Sequence, residues 1–172
     1  MRFLSTLVAA SALLVTRAVA TCQFHNIIHN ATLLAAENAT ELCMRQGAGH
    51  WTFAMETTII TVPGNSANHT KDHDSASVEF IIYDNDCVPQ AAYRAPNCST
   101  PIIAEENFLR EVLILDKLNT KPHKAYFKFR YGDGIYSIRN NHCVCTDMTK
   151  LTGYKEATGC RCSFPVDGHF VG

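Results

Sequence analysis

The segment AYFKFRYGDGIYSIR, residues 125–139, carries the clearest fold signal in the 172-residue chain. Residues alternate in type from 126 to 131, so one set would face each side of a strand. The core-facing set is Phe127, Phe129 and Tyr131, and the opposite set is Tyr126, Lys128 and Arg130. Gly132-Asp133-Gly134 separates this run from a second one at 135–139. A glycine-containing turn between two such runs predicts a β-hairpin.

Further strands are predicted on both sides of this hairpin. Residues 51–62 are rich in β-branched and aromatic side chains and predict a long strand. We expect the side chains on one of its faces to be Trp51, Phe53, Met55 and Ile59. After the turn at 63–66, residues 77–83 predict a strand antiparallel to the first. Residues 143–164 predict strand-like ends, each carrying a Cys-x-Cys unit.

The remaining segments predict helices and loops. Residues 30–46 predict a short helix, because their apolar positions share one side at helical spacing. Residues 102–118 are ambiguous between a helix and a buried strand, and their length favours a helix. Residues 84–101 predict a loop. The sum is an α+β fold, with an antiparallel sheet of about four strands packed by one or two helices and braced by disulfides.

The N-terminus has the pattern of a secretory signal peptide at residues 1–20. Arg2 precedes an apolar run, and Ala18-Val19-Ala20 fits the rule of small residues before a cleavage site. The run is too short to span a bilayer of about 30 Å. We therefore expect residues 21–172 to form a single secreted, extracellular domain with no membrane span.

Eight cysteines lie after this segment, and an even number in a secreted chain predicts four disulfides. They are Cys22, Cys43, Cys87, Cys98, Cys143, Cys145, Cys160 and Cys162. Two Cys-x-Cys strands side by side could form two bridges on one face. Cys87 and Cys98 flank a short proline-containing loop, which suggests a local bridge, and Cys22 would tie down the new N-terminus. The Cys-x-Cys spacing does not favour zinc, so no metal is expected.

Four Asn-x-Ser/Thr sequons predict N-linked glycans, and hence surface positions. The asparagines are Asn30, Asn38, Asn68 and Asn97.

Charge excludes one class of partner and indicates a surface for another. With 15 basic and 16 acidic residues, the chain is not built to coat DNA by bulk charge. A local cluster with no acidic residue could instead meet an anionic polysaccharide, phosphoinositide or RNA, the alternative being an ordinary solvated face. The cluster is Lys121, Lys124, Tyr126, Lys128 and Arg130.

No catalytic motif for a serine hydrolase, zinc protease or nucleotide-binding enzyme occurs in the sequence. We therefore expect a protein that is not an enzyme and needs no cofactor. A ribonuclease-like hydrolase is the alternative, since such a site needs a base, an acid and a cation. Its candidate residues are His50, Glu56, His123, Arg130 and His142. A cleft that joins His50, Glu56 and His123 would favour this alternative.

The signal peptide, the eight cysteines and the sequons resemble those of small secreted cysteine-rich effectors of plant-pathogenic fungi. In size and element order, residues 21–172 are similar to the Leptosphaeria-type avirulence and suppressor effectors and their Cladosporium (Fulvia) extracellular-protein relatives. The resemblance implies a virulence factor in the host apoplast that binds a host protein or other host component. It also implies detection by a host resistance receptor. We expect a monomer, and a secreted carbohydrate- or lipid-binding module using Trp51 or Tyr126 is the further alternative.

Overall fold

Two five-stranded β-sheets make up most of the chain that the computed structural model describes, namely residues 22–27, 41–64, 71–140 and 143–169. The strands are β1 (Cys22–Gln23), β2 (His50–Val62), β3 (His73–Tyr83), β4 (Pro89–Arg94), β5 (Ile102–Ala104), β6 (Leu113–Asn119), β7 (Tyr126–Tyr131), β8 (Gly134–Ser137), β9 (Cys143–Asp147) and β10 (Glu156–Pro165). Sheet A has the order β1-β5-β6-β7-β8, and sheet B has the order β4-β3-β2-β10-β9. Only the β1–β5 pair is parallel among these strands.

Aromatic rings from both sheets form the core between them. Phe53 of β2 lies 5.5 Å from Phe127 and 5.1 Å from Phe129 of β7, measured between ring centroids, with edge-to-face geometry. Phe129 also packs edge-on against Phe164 of β10 at 5.9 Å. All four rings are fully buried. The two sheets therefore pack face to face, and each has an inner face in the core and an outer face turned away from it.

The outer face of sheet B carries a second, smaller apolar cluster. Leu42 and Met148 cover Ala54 and Ala157 there. Gly159 of β10 allows this close approach, because a Cβ at that position would overlap Met148 and Leu42. Met148 directly precedes the short helix α1 (Thr149–Thr152). One face of sheet B is thus buried fully and the other only in part.

Several predicted elements are confirmed. The strand expected at 51–62 is β2, and the one at 77–83 is the second half of β3, antiparallel to β2. The hairpin expected around residues 132–134 is formed by β7 and β8.

Two segments were predicted wrongly. Residues 102–118 form strands β5 and β6 rather than a helix, and in β6 the buried Leu113 and Leu115 alternate with less buried residues. β6 is paired on both sides, with the strands that precede and follow it, so pairing decides its conformation. The expected loop at 84–101 contains β4, whose Ala91 and Tyr93 are buried in the core.

The fold class is correspondingly more β-rich than expected. Each sheet has five strands, where one sheet of about four was predicted. The helical elements with defined bounds in the described part of the chain are α1 and a 3-10 turn at Ile138–Asn140. The helix predicted at 30–46 lies mostly outside the described residues. Within the described part of this segment, residues 41–46, only 41–42 are helical. A β-rich two-sheet architecture replaces the balanced α+β expectation. No helix among the described residues is both long and apolar enough to cross a membrane.

Four disulfides brace the sheets, and the described chain contains no free cysteine. They are Cys22–Cys98, Cys43–Cys87, Cys143–Cys162 and Cys145–Cys160. The two bridges expected between the Cys-x-Cys units are confirmed, because β9 and β10 place these cysteines directly opposite one another. The local Cys87–Cys98 bridge is wrong: both cysteines bond to residues far away in the sequence, and Cys98 secures the N-terminal strand through Cys22.

We expect removal of the bridges to have unequal effects. The double variant C43A/C87A should lose about 4 kcal/mol of unfolding free energy, because this bridge closes a loop with a sequence separation of 44. The C145A/C160A variant should lose less than about 2 kcal/mol, since Cys143–Cys162 already closes the same hairpin. Denaturant unfolding without reductant measures both, and equal losses would contradict this account.

We expect Phe53→Ala to lower the unfolding free energy by about 3–5 kcal/mol, because it removes the ring that contacts both sheets. Ile60→Thr on the same strand is the matched control, since Ile60 is 41% exposed. Its effect should stay within about 0.5 kcal/mol in the same denaturant titration.

Candidate functional site

The outer face of sheet A carries the basic and aromatic residues singled out in the sequence. In β7, Phe127, Phe129 and Tyr131 are buried in the core, while Tyr126 and Lys128 are half-buried on the other side. Arg130 on that side is exposed. The two-sided character predicted for this strand is therefore confirmed.

Arg130 is neutralised by a neighbouring strand. A β-bulge between Leu115 and Lys117 lets Asp116 approach Arg130. Arg130 donates from Nε and Nη2 to the two carboxylate oxygens of Asp116, at 2.8 and 2.9 Å. This bidentate pair raises the pKa of Arg130, first through the hydrogen bonds and then through the negative charge. Arg130 is engaged within the protein, so its charge is largely compensated.

Lys128 has the opposite kind of neighbour. Lys117 of β6 is its direct cross-strand partner. Side chains at such positions have Cβ atoms about 5 Å apart, and like charges there destabilise the sheet. Within the described part of the chain, neither lysine takes part in an ion pair. Sequence reasoning missed Lys117, because only the strand register places it beside Lys128.

Tyr126 is flanked by a further cation that the sequence did not reveal. The guanidinium carbon of Arg139 lies 5.9 Å from the centroid of the Tyr126 ring, within the range of a cation–π contact. Arg139 belongs to the 3-10 turn that follows β8. The turn after β8 thus places a further cation beside the Tyr126 ring of β7.

The turn between β6 and β7 extends this surface. Lys121 and Lys124 are both exposed there, and the Lys124 amide donates to the Lys121 carbonyl at 3.1 Å. We call the surface formed by Lys117, Lys121, Lys124, Tyr126, Lys128 and Arg139 the basic face. Of the cluster predicted from the sequence, only Arg130 is excluded from it, because Asp116 neutralises it.

A groove of about 400 Å³ with both polar and apolar lining adjoins the basic face at Lys121. It is lined by Cys98, Ser99, Thr100, Ile102, Leu118, Asn119, Thr120 and Lys121. Hydroxyl and amide groups on its walls can both donate and accept hydrogen bonds. The groove and the basic face therefore offer sugar-like and anionic ligands a continuous surface.

The residues proposed for a ribonuclease-like site are not brought together. His50 and Glu56 lie six residues apart on β2, a separation of about 20 Å along an extended strand. The backbone amide of His123 donates to the Thr158 hydroxyl of β10. The side chains of Thr158 and Glu56 lie on opposite faces of sheet B, because Gly159, next to Thr158, is the cross-strand partner of Glu56. The His123 imidazole lies 3.7 Å from Glu156. His142 lies outside the described residues.

Three of the four sequon asparagines, Asn30, Asn38 and Asn68, lie outside the described residues, and their glycosylation stays a prediction. Asn97 is exposed beside Cys98, so its position is compatible with a glycan. Among the described residues, no group of three or more His, Cys, Asp or Glu side chains is placed to hold a metal ion.

Comparisons with protein-family models, curated proteins and solved structures find no match to this chain.

We expect Glu56→Gln to stabilise the protein at neutral pH. Burial raises the pKa of Glu56, and the carboxylate of Glu79 raises it further. A raised pKa in the folded state means that the wild type loses stability as the pH rises above the ordinary value near 4.5. The variant carries no charge there, so its advantage should be about 0.5–1 kcal/mol near pH 7 and vanish below about pH 4. Thermal unfolding across this range measures it, and an equal advantage at every pH would contradict the assignment.

Proposed function

We propose that the protein is a secreted effector that acts by binding an acidic polysaccharide of its host through the basic face. The observation that carries this proposal is the directly opposed pair Lys117 and Lys128. Such a pair costs stability in an isolated sheet. Contact with closely spaced negative charges turns the same arrangement into a favourable one.

The distribution of charge supports an anionic partner. The chain as a whole has a net charge of −1. Within β6, β7 and β8, however, Asp116 is the only acidic residue, and Arg130 engages it. The remaining cations of the basic face thus act on solvent and on approaching molecules, and a concentrated field of this kind steers anions to it.

The aromatic content favours a polysaccharide over single-stranded RNA. Proteins that bind single strands stack successive bases on several aromatic rings. The basic face has one such ring, Tyr126, and Arg139 already lies over it. The adjoining groove supplies Ser99, Thr100 and Asn119, whose side chains can bond sugar hydroxyls. Carboxylate or sulfate groups on the same sugar chain would meet the lysines.

The secreted and effector parts of the proposal rest on other features. Four disulfides suit an oxidising compartment, in agreement with the signal-peptide pattern. The resemblance to fungal cysteine-rich effectors adds the host context, including detection by a resistance receptor. The ribonuclease-like alternative has less support, because His50, Glu56 and His123 do not share a cleft.

We expect K117Q/K128Q to weaken binding to polygalacturonate or a sulfated polysaccharide by about tenfold at low salt, because two phosphate-like anion contacts are lost. The slope of log affinity against log salt should fall by about one for each lysine removed. The matched control is K71Q/K150Q, which removes two exposed lysines, one just before β3 and one in α1. Affinity is measured by titration of the mature protein at several salt concentrations.

An equal loss in both variants would mean that only net charge matters, and it would contradict the basic face as the site. Binding to single-stranded RNA or to anionic phospholipid vesicles, without binding to either polysaccharide, would replace the proposed partner by one of those classes. The K117Q/K128Q variant should unfold at an equal or higher temperature than the wild type, which excludes misfolding as the cause of lost binding.

A further inference from the structure

A pair of carboxylates lies on the outer face of sheet B, on the opposite side of the molecule's core from the basic face. Glu56 of β2 and Glu79 of β3 are direct cross-strand partners. The next pair along the same face, Thr58 and Ser77, is joined by a hydrogen bond of 2.6 Å between the hydroxyls. Both pairs line one cavity.

Tyr154 closes this cavity from the loop that follows α1. The cavity has a volume of about 130 Å³, and Tyr154 is 38% exposed at its rim. The next residue, Lys155, forms an ion pair of 2.6 Å with Asp74 of β3. This tie anchors the loop to β3, and Tyr154 lines the cavity together with the two carboxylates.

Two buried polar atoms near the carboxylates lack hydrogen-bond partners within the described chain. One is Oε1 of Glu56, and the other is the hydroxyl of Tyr83, a residue with no exposed surface. Tyr83 shares the outer face of β3 with Glu79. The negative charges of Glu56 and Glu79 add to burial in raising the pKa of Tyr83, so its hydroxyl lies within their field. Of these two residues, Glu56 lines the cavity.

Within the described part of the chain, no cation forms an ion pair with Glu56 or Glu79. Arg94 of β4 is the cross-strand partner of Glu79 on its far side, and it forms no ion pair in the described part of the chain. Arg161 of β10 donates from Nη1 to the Glu41 carbonyl and to Thr146, and its buried Nε has no hydrogen-bond partner within the described chain. Among the described residues, the carboxylate of Glu79 adds to burial in raising the pKa of Glu56.

We propose that the cavity bounded by Glu56, Glu79 and Tyr154 binds the protonated amino group of an aliphatic amine, either a free polyamine or the lysine side chain of a peptide. An alkylammonium group carries three donors for the carboxylates and hydroxyls. Its adjoining methylene groups pack against an aromatic ring, whose face also attracts the charge.

The size and lining of the cavity select this ligand class. At about 130 Å³ the cavity lies below the range of about 300–1,000 Å³ that drug-sized ligands need, and it suits the head of a linear chain. A calcium ion would require six to eight oxygen ligands, while the lining offers two carboxylates and two hydroxyls that already bond each other. The aromatic ring has a role for an organic cation and none for a metal ion.

The test is calorimetric titration of the mature protein with three probes: diaminobutane, a lysine-containing tripeptide with blocked ends, and calcium chloride. We expect E79Q to lower amine affinity by about tenfold or more, because it removes one of two charge-assisted contacts. Tyr154→Leu should lower it by a smaller factor of about three to tenfold, since only the cation–π contact is lost. Glu105→Gln is the matched control, because Glu105 is exposed in the loop after β5 and should leave binding unchanged.

Stronger binding of diaminobutane than of the peptide would identify a free amine as the ligand, and the reverse order would identify a lysine side chain. Binding of calcium alone, or amine binding that E79Q leaves unchanged, would overturn the proposal. No detectable binding of either amine would overturn it as well. E79Q must melt at or above the wild-type temperature, so that lost binding is not lost folding. K117Q/K128Q should bind the amine normally, which separates this site from the basic face.

Discussion

The packing of Phe53 against Phe127 and Phe129 is the contact on which the rest of the structure depends. It holds the two sheets face to face and fixes which side of β7 is buried. Because side chains alternate along a strand, burial of Phe127 and Phe129 forces Tyr126 and Lys128 onto the outer face. A shift of one residue in this strand would bury the cations and expose the rings. The core and the basic face are therefore two consequences of one register.

The β-bulge at Asp116 extends this control to the neighbouring strand. One extra residue in β6 lets Leu115 and Leu118 keep their pairing with Phe129 and Phe127, while Lys117 stays opposite Lys128. It also supplies the carboxylate that binds Arg130. The bulge thus gives Arg130 a carboxylate partner and leaves Lys128 facing Lys117. Substitution of the bulge residue would change both the local twist and the charge of the basic face.

Sequence reasoning succeeded where a turn or a spacing signal was present and failed where pairing partners decided the outcome. The hairpin around residues 132–134 and the paired Cys-x-Cys strands each carry their own turn or spacing signal. Residues 102–118 lack such a signal, and they contain strands because β5 pairs with β1 and β6, and β6 pairs with β7. The partners of Cys87 and Cys98 lie 44 and 76 residues away, beyond any spacing argument. For the same reason the sequence placed Lys128 on a surface but could not identify Lys117 as its cross-strand partner. Nor could it identify Glu79 as the partner of Glu56.

The two outer faces break the same pairing rule with opposite charges. Lys117 faces Lys128 on sheet A, and Glu56 faces Glu79 on sheet B, although an exchange between the sheets would give two favourable pairs. Departures of this kind from local consistency are expected where a surface serves recognition rather than stability. The aromatic core and four disulfides supply stability that is independent of both pairs. That independence allows each face to keep an unfavourable pair, which a ligand of the opposite charge would relieve at neutral pH.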